Sequence, residues 1–140
     1  MSDCIFCDIL AGRAEGTFVW RDERVSAFLD IQPINPGHLM VVPNEHAANL
    51  AELPPETGER VFRVAQQLAA VLRRSELACE GVNLFLADGE VAMQEIFHLH
   101  LHVIPRRTGD RFGLTFGPDY FTKPAREELE SAAERIRAAV

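Results

Sequence analysis

Long apolar runs are missing from this 140-residue chain, and so is a basic leader: it opens MSDCIFCDIL, acidic where a secretory signal would be basic. No stretch approaches the roughly 20 apolar residues of a membrane span, so the sequence reads as neither exported nor membrane-inserted, and a cytoplasmic location is expected. Positive charge is also lacking. The formal net charge is −7, which argues against bulk attraction to a nucleic acid polymer or an anionic membrane. A small phosphate-bearing ligand is not excluded, because it needs only local donors. Cysteine is scarce and odd in number, with Cys4, Cys7 and Cys79 the full set, so metal binding or free thiols are better readings than a disulfide framework. No repeat, linker or low-complexity tract breaks the sequence, and a single domain over residues 1–140 is expected.

What is present has a clear order. CIFCDILAG reads as a loop entering a short helix that Gly12 stops. TFVW, RDER and VSAFLD read as a hairpin, with β-branched and aromatic residues around a charged turn. QPINPG is a Pro/Asn/Gly connection, and HLMVVP a buried strand closed by Pro43. Over residues 54–74 the pattern changes, because Val61, Ala65, Leu68 and Leu72 recur at helical spacing. VNLFLA and FHLHLHVI follow as strands, the second stopped by Pro105. Leu129, Ala133, Ile136 and Val140 mark a last helix, with Thr122 as its candidate cap. The fold class is therefore α+β, a mainly antiparallel sheet with a long central helix and a C-terminal helix.

Three of the five histidines fall in HLHLH, at positions 98, 100 and 102. Side chains of a strand alternate between faces, so these imidazoles share one face while Leu99, Leu101 and Val103 take the other. Three readings fit such a row: a solvated strand face, a catalytic zinc site with an open position, and nucleophilic catalysis by one neutral imidazole.

HLHLHVI resembles the His-φ-His-φ-His-φφ motif (φ apolar) of the histidine triad (HIT) family. The likeness extends through CIFCDILAG, AFLDIQPINPGHLMVVPNEH and QEIFHLHLHVIPR, and is to the bacterial, zinc-carrying branch. It implies a HIT-like fold with a five-stranded sheet, and chemistry on the α-phosphate of an adenosine-type nucleotide. The central histidine, His100, would form a covalent nucleotidyl intermediate, with His102 beside the phosphate and the leaving atom. The chemistry has a physical requirement: one ring nitrogen attacks while the other keeps its proton on a fixed acceptor. By the same resemblance Asp30 would hold the ribose hydroxyls and Phe6, Ile9 and Phe28 would line the base pocket. His38 would support the triad, and Gln94 would contact the phosphate or leaving-group side. Core packing is the competing reading for Phe6, Ile9 and Phe28, and a strand-ending turn for Asp30.

Cys4-x-x-Cys7 has no preceding strand, as a redox motif would. The zinc-carrying relatives imply His46 and His98 as the other two ligands, a Cys₂His₂ set and hence a closed structural Zn²⁺ site. Cys79 reads as a small core residue. The resemblance also implies a homodimer. Two departures stand out: Ala87 replaces the Asn of the relatives' Asn-x-Gly, with Asp88 adding a negative charge, and Met93 lies where they have Gly. They leave open whether the leaving group is an amine, as in nucleoside phosphoramidates, or a nucleotide, as in dinucleoside polyphosphates. A nucleotide-binding sensor or interaction module with weak turnover is the alternative from another class.

Overall fold

The computed structural model describes residues 3–140, which divide into one compact unit ending at Asp110 and a second, Arg111–Val140. The first unit contains α1 (Ile5–Leu10), β1 (Phe18–Arg21), β2 (Val25–Leu29), β3 (Leu39–Pro43), α2 (Pro55–Arg74), β4 (Gly81–Leu86) and β5 (Leu101–Arg106). Its five strands form one sheet in the order β1-β2-β3-β5-β4, every neighbouring pair antiparallel.

Alternation along the strands decides which face each side chain serves. Val25, Ala27, Leu39, Val41, Leu101 and Val103 turn to one face, where Val61, Val64, Ala65, Leu68 and Leu72 of α2 complete a core. The helical spacing in the sequence is thus the stripe that α2 buries. Phe28, Met40 and Val42 turn to the opposite face and pack with Phe6 and Ile9 of α1. Because both faces are covered, β2 and β3 are almost continuously buried and show no polar alternation. His102 is paired with Met40 and Phe85 and so belongs to the α1 face.

The β1–β2 turn is held by Asp22. Its Oδ1 accepts the backbone N–H groups of Arg24 and Val25 at 2.8 and 2.9 Å. Its Oδ2 accepts Trp20 Nε1–H at 2.8 Å and Arg60 Nη2–H of α2 at 2.7 Å. Burial opposes the charge on this carboxylate, but the four donors together outweigh it and hold the carboxyl well below its usual range.

Three sequence expectations need correction. Pro105 does not stop the last strand, since β5 runs through it to Arg106. The pairing of β3 with β5 covers only Leu101 to Val103, so Pro105 lies where that side of the ladder has ended and a residue without N–H is tolerated. Nor does the strand include the whole triad: His98 and His100 precede β5, and only His102 is in it. In the second unit, α3 (Arg126–Arg137) is preceded by Ala125 with no side-chain cap, while Thr122 ends a short 3₁₀ turn at Pro118–Phe121. Phe116 and Tyr120 stack across that turn with ring centroids 3.8 Å apart. No helix among the described residues is long and apolar enough to cross a membrane.

Candidate active site

Four ligand-bearing side chains meet at the start of α1. Cys4 precedes the helix and caps it, its Sγ accepting Cys7 N–H at 3.4 Å, which turns both sulfurs to the same side. His98 Nδ1 lies 3.4 Å from Cys4 Sγ and 3.5 Å from Cys7 Sγ, and His46 Nδ1 lies 3.4 Å from Cys7 Sγ. A tetrahedral Zn²⁺ with ordinary Zn–S and Zn–N bonds requires S···N separations of about 3.6 Å, so the set fits the ion. Tautomerism fits as well. His98 Nε2–H donates to the Pro43 carbonyl at 2.8 Å, leaving the Nδ1 lone pair for a metal. Burial first, and then the neighbouring Cys4, push the Cys7 thiol up to about 11. Two thiolates gathered without a cation would repel each other, and a divalent ion removes that cost.

The nucleophile candidate is positioned by the same strand approach. His100 Nδ1–H donates to the His98 carbonyl oxygen at 2.8 Å, which leaves Nε2 with its lone pair. Phe6 packs edge-on against both rings, with centroids 5.8 Å from His98 and 5.2 Å from His100. Burial pulls the pKa of His100 below its ordinary value, so the imidazole is kept neutral.

His102 is set by a chain of hydrogen bonds. Ile34 N–H occupies His38 Nδ1 at 3.1 Å, so a neutral His38 carries its proton on Nε2. That proton is donated to His102 Nδ1 at 2.8 Å, which leaves His102 with an N–H at Nε2. Burial, and then the adjacent His100 and His38, lower the His102 pKa to about 4. Asp30 Oδ2 stands 3.6 Å from His38 Nε2 and 3.9 Å from His102 Nδ1. These three side chains are close enough to be considered a metal group. The donors argue otherwise: a metal on His38 would need the Nε2 lone pair that the Ile34 bond leaves protonated.

His100, His102 and Asp30 line a cavity of about 810 Å³, together with Phe6, Ile9 and Phe28. That volume suits a nucleotide-sized ligand. Phe6, Ile9 and Phe28 are at the same time buried core residues, so the two readings of them coincide. Asp30 ends β2 and accepts Gln32 N–H on Oδ1 at 2.8 Å, so it too serves a turn while facing the cavity.

Gln94 is placed differently from the expectation. It is buried, with Oε1 accepting Gly89 N–H at 2.8 Å and Nε2 donating to Ala48 O at 2.7 Å and Ile96 O at 3.1 Å. Its amide pins the loop before the triad, and it is the neighbours Met93, Glu95 and Ile96 that line the cavity. Met93 adopts φ +73°, the left-handed backbone that glycine favours, and its side chain is mostly exposed. Ala87 is buried, and Asp88 accepts Leu50 N–H at 3.3 Å. Cys79 packs at the rim of the α2 core. Glu15 and Glu95 on the cavity wall had no signal in the sequence, and neither did Asn35. The last is buried and ties the β2–β3 loop to Pro105 O and Asp110 Oδ2, both at 2.9 Å. A second depression, about 630 Å³ along α2, holds no histidine or thiol, and Arg60 on its wall is engaged by Asp22.

The chain is similar to known proteins in both sequence and fold. The HIT domain family matches residues 11–109. An uncharacterised HIT-like protein of Borreliella burgdorferi is 41% identical over 118 residues, covering 84% of this chain and 85% of its own. A HIT family protein of Bacillus anthracis superposes with TM-score 0.89 at 35% identity, over 99% of this chain and 98% of its own. A Zn-bound histidine triad family protein of Mycobacterium smegmatis gives TM-score 0.77 at 37% identity, also over 99% and 98%. By its sequence match and its five-stranded antiparallel sheet, the chain belongs to the histidine triad (HIT) family, in its bacterial Hit type.

Proposed function

We propose that this protein is a nucleotide hydrolase that acts at the α-phosphate through a covalent nucleotidyl-histidine on His100. The observation that carries the reading is the 2.8 Å bond from His100 Nδ1–H to the His98 carbonyl, which leaves a neutral Nε2 facing the cavity. Nε2 attacks phosphorus, and His102 Nε2–H donates to the departing atom. Water then attacks the intermediate, gives up a proton to solvent and frees His100, so that His102 serves the departing atom as a hydrogen-bond donor and keeps its Nε2 proton. His38 keeps His102 in the required tautomer throughout. Asp30 Oδ2 accepts the ribose hydroxyls, and Phe6, Ile9 and Phe28 hold the base. Gln94 acts on the phosphate side by fixing the backbone of its loop.

The substrate is an adenosine-type nucleoside 5′-phosphoramidate or a dinucleoside polyphosphate. Support comes from structural neighbours. A histidine triad nucleotide-binding protein of Candida albicans gives TM-score 0.85 at 26% identity, and a HIT family hydrolase of Legionella pneumophila gives 0.67 at 30%. Cys4, Cys7, His46 and His98 hold a structural Zn²⁺, which when bound ties α1 to the approach to β5 and does no chemistry. A reducing cytoplasm keeps both thiols available for it. The partner in solution is a second copy of the chain, with β4 as the sheet edge it offers.

The test is turnover of adenosine 5′-phosphoramidate and diadenosine tetraphosphate by wild type and His100→Ala, with mass spectrometry of the quenched enzyme. A nucleoside monophosphate adduct on His100, and a loss on the order of a thousandfold in the variant, are expected. Turnover that survives His100→Ala overturns the mechanism. A nucleotide-binding module without turnover is the second reading, favoured by the Met93 side chain on the cavity wall. It requires nucleotide affinity with no His100-dependent product.

A further inference from the structure

The choice of leaving group rests on the charge of the cavity wall. Glu15, Asp30 and Glu95 line it, and no lysine or arginine is among the described residues that do. Three guanidinium groups of the same unit are engaged elsewhere. Arg13 bonds Asp8 at 2.8 Å, and Arg21 donates to Leu10 O at 2.8 Å. Arg106, on the strand that carries His102, holds Asp110 through Nε and Nη2 at 2.6 and 2.7 Å and Asn83 through Nη1 at 2.7 Å. The wall therefore carries three carboxylates with no lysine or arginine beside them among the described lining residues.

A dinucleoside polyphosphate would bring several phosphate charges into that wall and meet no cation. An amine leaving group is neutral, and an amine with a second ammonium group is attracted. Of the three carboxylates, Asp30 is assigned to the ribose. Glu95 lies between Gln94, whose amide is held by three hydrogen bonds, and Ile96, which also lines the cavity. Its backbone is therefore fixed close to the triad, so its charge acts from a constant place.

Resting on the nucleotidyl-transfer reading above, we propose that the site selects nucleoside 5′-phosphoramidates whose amine bears a cationic group, and that Glu95 sets the selection. The step balances. The P–N bond of the substrate breaks as His100 Nε2–P forms, and the amine leaves with the electron pair and a proton from solvent, which the later hydrolysis returns, while His102 Nε2–H hydrogen-bonds its nitrogen. Water then adds to phosphorus, the His100–P bond breaks, and a nucleoside monophosphate and the amine are released. The discrimination is one of differential affinity with a repulsive component against the anionic competitor.

The experiment compares kcat/KM for three compounds: the adenosine 5′-phosphoramidates of butylamine and of 1,4-diaminobutane, which are nearly isosteric, and diadenosine tetraphosphate. Wild type, Glu95→Gln, Glu95→Lys and His100→Ala are assayed at low and high salt. The diamine compound is expected to lead, the butylamine compound to follow and the tetraphosphate to trail. Glu95→Gln should shrink the diamine-to-butylamine ratio by about 3–10-fold, Glu95→Lys should reverse it, and high salt should compress it in wild type. A purely structural Glu95 would change all three rates together and leave the ratios alone, which overturns the proposal. So does a wild-type preference for the tetraphosphate with His100-dependent turnover intact, and in that case the nucleotidyl-transfer reading survives. Absence of His100-dependent turnover with every compound removes both.

Discussion

The Nδ1 of His100 lies 2.8 Å from the carbonyl oxygen of His98, so the residue whose side chain faces the two cysteines also sets, through its backbone, the tautomer of its neighbour. One segment of chain thus serves two sites. Its imidazole lies against the two cysteine sulfurs, and its peptide carbonyl accepts the His100 N–H. Phe6, between Cys4 and Cys7 in sequence, contacts both rings and lines the cavity.

Metal loading should follow from that set. Protein purified without added metal is expected to carry about one zinc per chain, and Cys4→Ser to lose it together with a fall in Tm. Elemental analysis and calorimetry check this, and a full zinc complement in Cys4→Ser would show that the four side chains are not the ligands.

His102 should remain neutral well below the pH at which an ordinary imidazole charges. Its folded pKa of about 4 is below the ordinary imidazole value of 6.5, so protonation disfavours the folded form. Its contribution to stability is full above pH 6.5 and is lost as pH falls toward 4. Ring nitrogen shifts in a ¹⁵N-histidine sample should report the Nε2–H tautomer at pH 7 and no titration of this ring near pH 6.5. His38→Phe should abolish the tautomer preference.

Asp22 offers a measure of the hairpin. Replacing it by Ala leaves Trp20 Nε1–H, two backbone N–H groups and Arg60 without their acceptor, and a loss of about 2–3 kcal/mol is expected in urea unfolding. The folded pKa is depressed, so the stabilisation by the charge is present above pH 3.8 and disappears as pH falls through the folded value. The gap between wild type and Asp22→Asn should accordingly close in acid.

Met93→Gly should stabilise. A side chain at φ +73° costs about 1–2 kcal/mol, and glycine returns part of that by losing more entropy on folding. Because the Met93 side chain is 70% exposed, little packing is lost, and a Tm rise of about 2–5 °C is expected. A fall in Tm would mean that its side chain packs where the structure shows it exposed.

Sequence alone determined the elements whose signal is local. Helical spacing located α2 and its buried stripe, and turn chemistry located the β1–β2 hairpin. The His-φ-His-φ-His row and the Cys4/Cys7 pair named the candidate site residues, because residue type carries their chemistry. Tertiary structure decided what those side chains do. His38 and His102 are 64 positions apart, and their 2.8 Å bond exists only because β3 lies beside β5. Gln94 became a loop clamp because Ala48 O, from another part of the chain, comes within reach of its amide. Pro105 stayed inside a strand because its neighbour on one side had already ended. Tautomer, charge and pairing depend on partners distant in sequence, and no local pattern encodes them.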